Sequence, residues 1–128
     1  MKAKDLMTGN YLSYNGFEYR VIQVTAGFDG DDSDSWTLEN GEENVGESIE
    51  ITPEFLEKNG FEKWNDGWLY DGMLEYYEIF IDEMCDGIFR VWKRDLEFGI
   101  ADATISLSFV HELQNFLTLN GIDLEIKV

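Results

Sequence analysis

The sequence predicts an α+β domain, and three observations carry that prediction. Short alternating segments are joined by Asn-Gly, Asn-Asp-Gly and Asp-Gly turns, which is the pattern of antiparallel hairpins. Two stretches carry helix caps and helical spacing. No internal repeat and no linker breaks the chain, so residues 1–128 read as one composite domain. Its β-rich, barrel-like part covers 1–51 and its α+β part covers 52–128.

In chain order, Asn10 to Tyr14 is a short strand. Asn15-Gly16 follows as a type I′ turn, where both central residues need positive φ. Phe17 to Ala26 alternates with apolar residues on both faces, the pattern of a curled strand in a small, SH3-like barrel. Asp29 to Asp34 is a polar loop. Ser35 to Glu39 and Ser48 to Ile51 are further strands around the acidic loop Asn40 to Gly46. Thr52 caps a short helix, with Pro53 at its first position, Glu54 at its positive end and Gly60 as its stop. Phe61 to Trp64 and Trp68 to Tyr70 flank the Asn65-Asp66-Gly67 turn. Leu74 to Ile81 and Ile88 to Trp92 form a second antiparallel pair closed at Gly87. On the first of these, Glu78, Phe80 and Asp82 point outward and Ile79 and Ile81 inward. Asp95 to Ser106 carries no clear pattern. A second helix spans Ser108 to Asn120, with Phe109, Val110, Leu113, Phe116 and Leu117 on its apolar arc. It packs on the sheet, stops at Gly121, and leads into a last strand, Ile122 to Val128.

The net charge is -18, from 27 acids against 9 bases. Eleven of the acids lie between Arg20 and Lys58, where there is no base. A second base-free stretch separates Trp64 from Phe89. Such a chain repels nucleic-acid backbones and anionic membranes, so neither is an expected direct partner. It is attracted to basic protein surfaces. Hydrophobic content of 44% and aromatic content of 15% exclude a disordered acidic tail. Cys85 is the single cysteine, which points to a reducing, cytoplasmic setting without a disulfide framework. Met1 to Asn10 lacks the apolar segment of a secretion signal, and no run reaches the roughly 18 apolar residues of a membrane span.

Several motifs invite chemistry and lack a part it needs. His111-Glu112 opens a zinc-helix pattern, but the second ligand position holds Asn115 and the chain has no other His. Asp29-Gly30-Asp31-Asp32-Ser33-Asp34 resembles a calcium loop, yet its sixth position is Asp34 and its twelfth Asn40, where Gly and Glu are required. Cys85 sits among Asp82, Glu83 and Asp86, a poor setting for a nucleophilic thiolate. The glycines of the acidic loop lie beside glutamates, which repel phosphate. Arg90, Lys93 and Arg94 form the basic cluster, expected as solvated cations on a strand. No catalytic set, metal site or cofactor is therefore expected. The residues that suggest an interaction surface are His111, Gln114 and Asn115 on the polar arc of the second helix, with Asp29, Asp31, Asp32 and Asp34 in the loop. Of the aromatics Trp36, Trp64, Trp68, Tyr70, Tyr76, Tyr77 and Trp92, most belong to core and sheet faces. An exposed few would form a protein-binding or sugar-stacking patch.

Three blocks carry a resemblance. Lys4-Asp5-Leu6-Met7-Thr8-Gly9-Asn10-Tyr11 opens the chain, followed by Asn15-Gly16 and Tyr19-Arg20-Val21. Ile51 through Phe61 is the second block. Val110-His111-Glu112-Leu113-Gln114-Asn115, through Asn120-Gly121-Ile122-Asp123-Leu124, is the third. Together they resemble a family of short uncharacterised Bacteroidetes and phage-associated proteins. The resemblance implies no activity, ligand or catalytic residue. It implies that the helix signature serves packing, because Asn115 stands where a zinc-like pattern would need His. The function expected is a non-enzymatic protein-binding or accessory module of a phage or mobile element. Two alternatives are an acidic nucleic-acid mimic that blocks a host DNA-binding protein, and a metal-dependent hydrolase.

Overall fold

The computed structural model describes residues 3–25, 35–70, 77–95 and 101–128, the side chains of 4, 95 and 101–104 excepted. It is an α+β structure of two antiparallel sheets and two helices, and it divides into two compact units.

The first unit comprises Met1–Ile49 with Phe109–Asp123 and Val128. Its strands are β1 (Tyr11–Tyr14), β2 (Phe17–Thr25) and β3 (Ser35–Leu38), in that order. Asn15 and Gly16 both take positive φ, 51° and 83°, so the β1–β2 turn is of the expected mirror-image type. β2 gives its first half to β1 and its second half to β3, with a bulge between Val21 and Gln23. Leu6, Leu12, Val21 and Leu38 form the core here, with Tyr14, Tyr19, Val24, Trp36 and Val45 packed against them. Among the described residues the sheet stays open, with β1 and β3 as edges, so no barrel closes.

Ser48 to Ile51 does not form the expected strand. Asn44 and Gly46 adopt left-handed conformations, φ 56° and 113°, which turn the backbone out of an extended ladder. Isolated bridges stand here in place of a ladder, among them Thr37 with Glu43 and Ser13 with Glu47, and within Ser48 to Ile51 Glu50 alone is a bridge residue. The helix α2 (Val110–Leu119) belongs to this unit. At its start the Glu112 carboxylate accepts the Phe109 N–H at 3.0 Å. At its end Gly121 takes φ 68° and the Ile122 N–H reaches the Leu117 carbonyl at 2.9 Å.

The second unit comprises Glu50–Ser108 with Leu124–Lys127. The short helix α1 (Pro53–Lys58) starts as expected: Thr52 Oγ1 accepts the Phe55 N–H at 3.1 Å. A five-stranded meander follows in sequence order. Its strands are β4 (Phe61–Trp64), β5 (Gly67–Tyr70), β6 (Tyr77–Cys85), β7 (Ile88–Asp95) and β8 (Ala101–Leu107). The last of these lies in the stretch that showed no clear pattern. It pairs along β7 from Leu107 opposite Phe89 to Ala101 opposite Arg94. One face of this sheet is buried: Phe61, Trp68, Ile79, Ile81, Phe89, Val91 and Leu107.

The C-terminal segment corrects a second expectation. Burial does alternate from Ile122 to Ile126, but residues 122–128 join no ladder. Instead the Asn59 side chain stands in for a strand. Its Oδ1 accepts the Lys127 N–H at 2.6 Å and its Nδ2 donates to the Lys127 carbonyl at 2.8 Å. A side-chain amide offers the same donor and acceptor as a peptide group, so one residue satisfies what a neighbouring strand would.

Candidate functional site

Alternation along β6 and β7 sends Glu78, Phe80, Asp82, Arg90, Trp92 and Arg94 to the face opposite the buried one. Register then decides which of them touch. Phe80 lies opposite Trp92 on β7 and opposite Leu69 on β5. Trp64, on the edge strand β4, lies opposite Gly67, and Gly67 lies opposite Asp82. With no side chain at position 67, the Trp64 ring reaches Phe80 edge-on, centroids 5.5 Å apart. Phe80 in turn stacks on Trp92 at 5.2 Å and 27°. Three rings from β4, β6 and β7 thus make one continuous surface, and Trp64 is 51% exposed. Trp64, Leu69, Phe80 and Trp92, with Glu78 and Arg94, line a hollow of about 310 Å³.

The charges beside the rings are paired. Arg94 hydrogen-bonds Glu78. Arg90 reaches Asp82 at 3.3 Å, and its guanidinium lies 4.3 Å from the Trp92 ring centroid. Asp82 Oδ1 and Arg90 Nε find no partner among the described residues, so this pair is a single contact rather than a two-pronged clamp. The basic cluster read from the sequence is split by the same alternation. Lys93 points to the buried face, where its Nζ lies 4.3 Å from the Tyr77 ring centroid.

The residues singled out on α2 make contacts within their own chain. His111 is 4% exposed, its ring parallel to Phe109 at 5.9 Å, and its Nδ1 has no partner among the described residues. Burial pushes its pKa down, against the smaller opposing pull of Glu112 and Asp5. The neighbouring amides fasten the segment before β1. Gln114 accepts the Tyr11 N–H at 2.9 Å and donates to the Gly9 carbonyl at 3.0 Å. Asn115 accepts from Asn10 Nδ2 at 2.8 Å and donates to the Asp5 carbonyl at 3.1 Å. Asn10, itself 2% exposed, accepts the Met7 N–H at 2.7 Å. Gln114 and Asn115 therefore bind their own chain while staying partly exposed, and His111 is buried. Asp29, Asp31, Asp32 and Asp34 lie outside the described residues.

Among the described residues no three His, Cys, Asp or Glu side chains gather closely enough to hold a metal. No helix among them is long and apolar enough to cross a membrane. Cys85 is exposed and unpaired. Comparison with protein-family models, with curated proteins and with solved structures found no match to this chain.

The aromatic face is half legible in the sequence. Alternation predicts that Glu78, Phe80 and Asp82 point outward. That Trp64 and Trp92 flank Phe80 follows only from the register of β4 to β7. The signal that could have found it is the hairpin pair Asn65-Asp66, which fixes Trp64 opposite Gly67.

Proposed function

We propose that the protein is a non-enzymatic protein-binding module whose working surface is the open face of the five-stranded sheet. The observation that carries this reading is the continuous Trp64–Phe80–Trp92 surface, with paired charges at its margin. Large aromatics and arginine around a small apolar hollow are the side chains that dominate protein interfaces. A rigid antiparallel sheet holds them in place at little entropic cost. Membership of the phage-associated family, and an accessory role in a mobile element, belong to the same proposal and rest on the three sequence blocks. A cytoplasmic setting rests on the exposed, unpaired thiol of Cys85. An SH3-like wrapping of the first unit rests on the way β2 divides between β1 and β3 across its bulge.

The test compares capture from host lysate by the tagged chain, by Trp64→Ala and by Leu119→Ala. Leu119 is an exposed residue of the first unit and no part of the five-stranded sheet. Partners lost from Trp64→Ala and kept by Leu119→Ala support the proposal. Partners kept by both variants overturn it.

A further inference from the structure

We infer that Asn15 is a site of self-modification: its side-chain amide is lost through attack by the Gly16 backbone nitrogen, ahead of the same reaction at every other Asn-Gly pair of the chain. The sequence holds four such pairs, at 15–16, 40–41, 59–60 and 120–121. In each, glycine leaves the attacking nitrogen without a Cβ beside it. The identity of the following residue therefore does not separate them; their hydrogen bonds do. The site lies in the turn between β1 and β2 and is independent of the binding proposal.

In the reaction the Gly16 amide nitrogen gives up its proton and bonds Asn15 Cγ. The Cγ–Nδ2 bond breaks, and ammonia leaves with that proton. A five-membered imide remains, and water opens it at either carbonyl. Opening at the side-chain carbonyl gives Asp. Opening at the backbone carbonyl gives isoaspartate, whose main chain runs through Cβ and Cγ. No oxidant or reductant takes part, and water is the one reactant added.

Three of the pairs are held against this reaction. Their nucleophiles are engaged: the Gly41 N–H donates to the Leu38 carbonyl at 2.9 Å, Gly60 to Glu57 at 3.2 Å, and Gly121 to Thr118 at 3.1 Å. Their side chains are engaged as well. Asn40 Oδ1 accepts the Glu42 N–H at 3.1 Å, and Asn120 Nδ2 donates to the Phe116 carbonyl at 2.8 Å. Asn59 is buried and bonded to Phe55 and Lys127. At all three, native hydrogen bonds must break before the ring can close.

Asn15-Gly16 has no such restraint. Both residues are exposed, and a Cβ built at Gly16 would meet nothing within 4 Å. The closing pair of the hairpin is Tyr14 with Phe17. Among the described residues neither the Gly16 N–H nor the Asn15 amide has a hydrogen-bond partner. The turn is also preset. Asn15 has φ 51°, and a flip of the peptide plane after it converts the type I′ turn into type II′, which hairpins favour equally. The imide ring fixes ψ of residue 15 near the value of a type II′ turn, so it closes without opening the flanking ladder. Asn65 has a similar φ, 53°, but Asp66 follows it and brings a side chain and a charge beside the nucleophile.

The test is incubation of the folded chain at neutral and at mildly alkaline pH, followed by peptide mapping with mass spectrometry that separates Asn, Asp and isoaspartate. Conversion at Asn15 is expected several-fold ahead of Asn40, Asn59, Asn65 and Asn120, and faster at the higher pH, where more of the attacking nitrogen is deprotonated. In urea the four Asn-Gly pairs should react at similar rates, because the bonds that separate them are gone. Conversion at Asn15 no faster than at the other three pairs in the folded chain overturns the inference. The same lead of Asn15 persisting in urea overturns it too, since the selectivity would then belong to the sequence and not to the fold.

Discussion

A side chain at position 67 would place its Cβ 2.3 Å from the Ile81 carbonyl oxygen and 2.8 Å from the tip of the Phe80 ring. Gly67 therefore does not serve an unusual backbone angle; it serves close approach, and it lets Trp64 and Phe80 meet above it. Gly67→Ala is expected to cost about 1–3 kcal/mol, the range for overpacking a well-filled site. Chemical denaturation measures the loss, and a changed near-ultraviolet signal from the tryptophans would show that the rings have moved. His111 gives a second prediction at this scale. Burial lowers its pKa below the ordinary value of 6.5, so the unfolded chain binds the proton more readily than the folded one. Its contribution to stability is complete above pH 6.5 and is lost as the pH falls through and below that value. The denaturation midpoint of the natural chain should therefore drop more steeply between about pH 7 and pH 5 than that of His111→Gln. Equal slopes would show that the imidazole carries no such linkage. The amide side chains complete the residue scale: Asn59 replaces a strand for Lys127, and Asn10 joins Met7 to Asn115. No local pattern announces such long-range bonds, because Asn favours turns and caps as readily as it bridges distant backbone.

At the scale of elements, the parts with strong local chemistry were readable. Thr52-Pro53-Glu54 starts α1, Asn15-Gly16 turns a hairpin, and Gly121 ends α2, each through a backbone conformation that its residues favour; the second turn is one residue shorter than Asn65-Asp66-Gly67, because Gly67 pairs with Trp64 as the first residue of β5. β8 was not readable. Its apolar positions begin with Ala101 and Ala103, which favour strands weakly, and its pairing to β7 supplies what its own sequence lacks. Helix α2 was readable as a helix but not in its role. Its periodicity marks a polar arc; only the fold shows that Gln114 and Asn115 on that arc tie down residues 5–11. Asn115→Asp replaces the donor to the Asp5 carbonyl by an acceptor, and should cost about 1–3 kcal/mol. Thermal unfolding followed by circular dichroism checks this, and an unchanged midpoint would remove the proposed role of the tie.

For the whole molecule, 27 acids against 9 bases mean that folding concentrates like charge. Added sodium chloride screens that repulsion, so the thermal midpoint should rise between about 10 mM and 300 mM salt, over which the Debye length falls from ~30 Å to several ångström. A midpoint that falls with salt would mean that the pairs Arg90–Asp82 and Arg94–Glu78 outweigh the net repulsion. By itself the sequence determined the class of the fold, the Asn15-Gly16 turn, the cap that starts α1, the glycine that ends α2, and the inward face of β6. These follow from local propensity and from periods of two and 3.6 residues, which each segment carries within itself. Only the tertiary structure decided that β1 to β3 stay an open sheet among the described residues, that the last segment is held by Asn59 rather than by a strand, that Gln114 and Asn115 bind residues 5–11 of their own chain, and that Trp64, Phe80 and Trp92 meet. Those outcomes depend on register and on contacts between residues far apart in the chain, and a one-residue shift of register would reverse every one of the faces concerned.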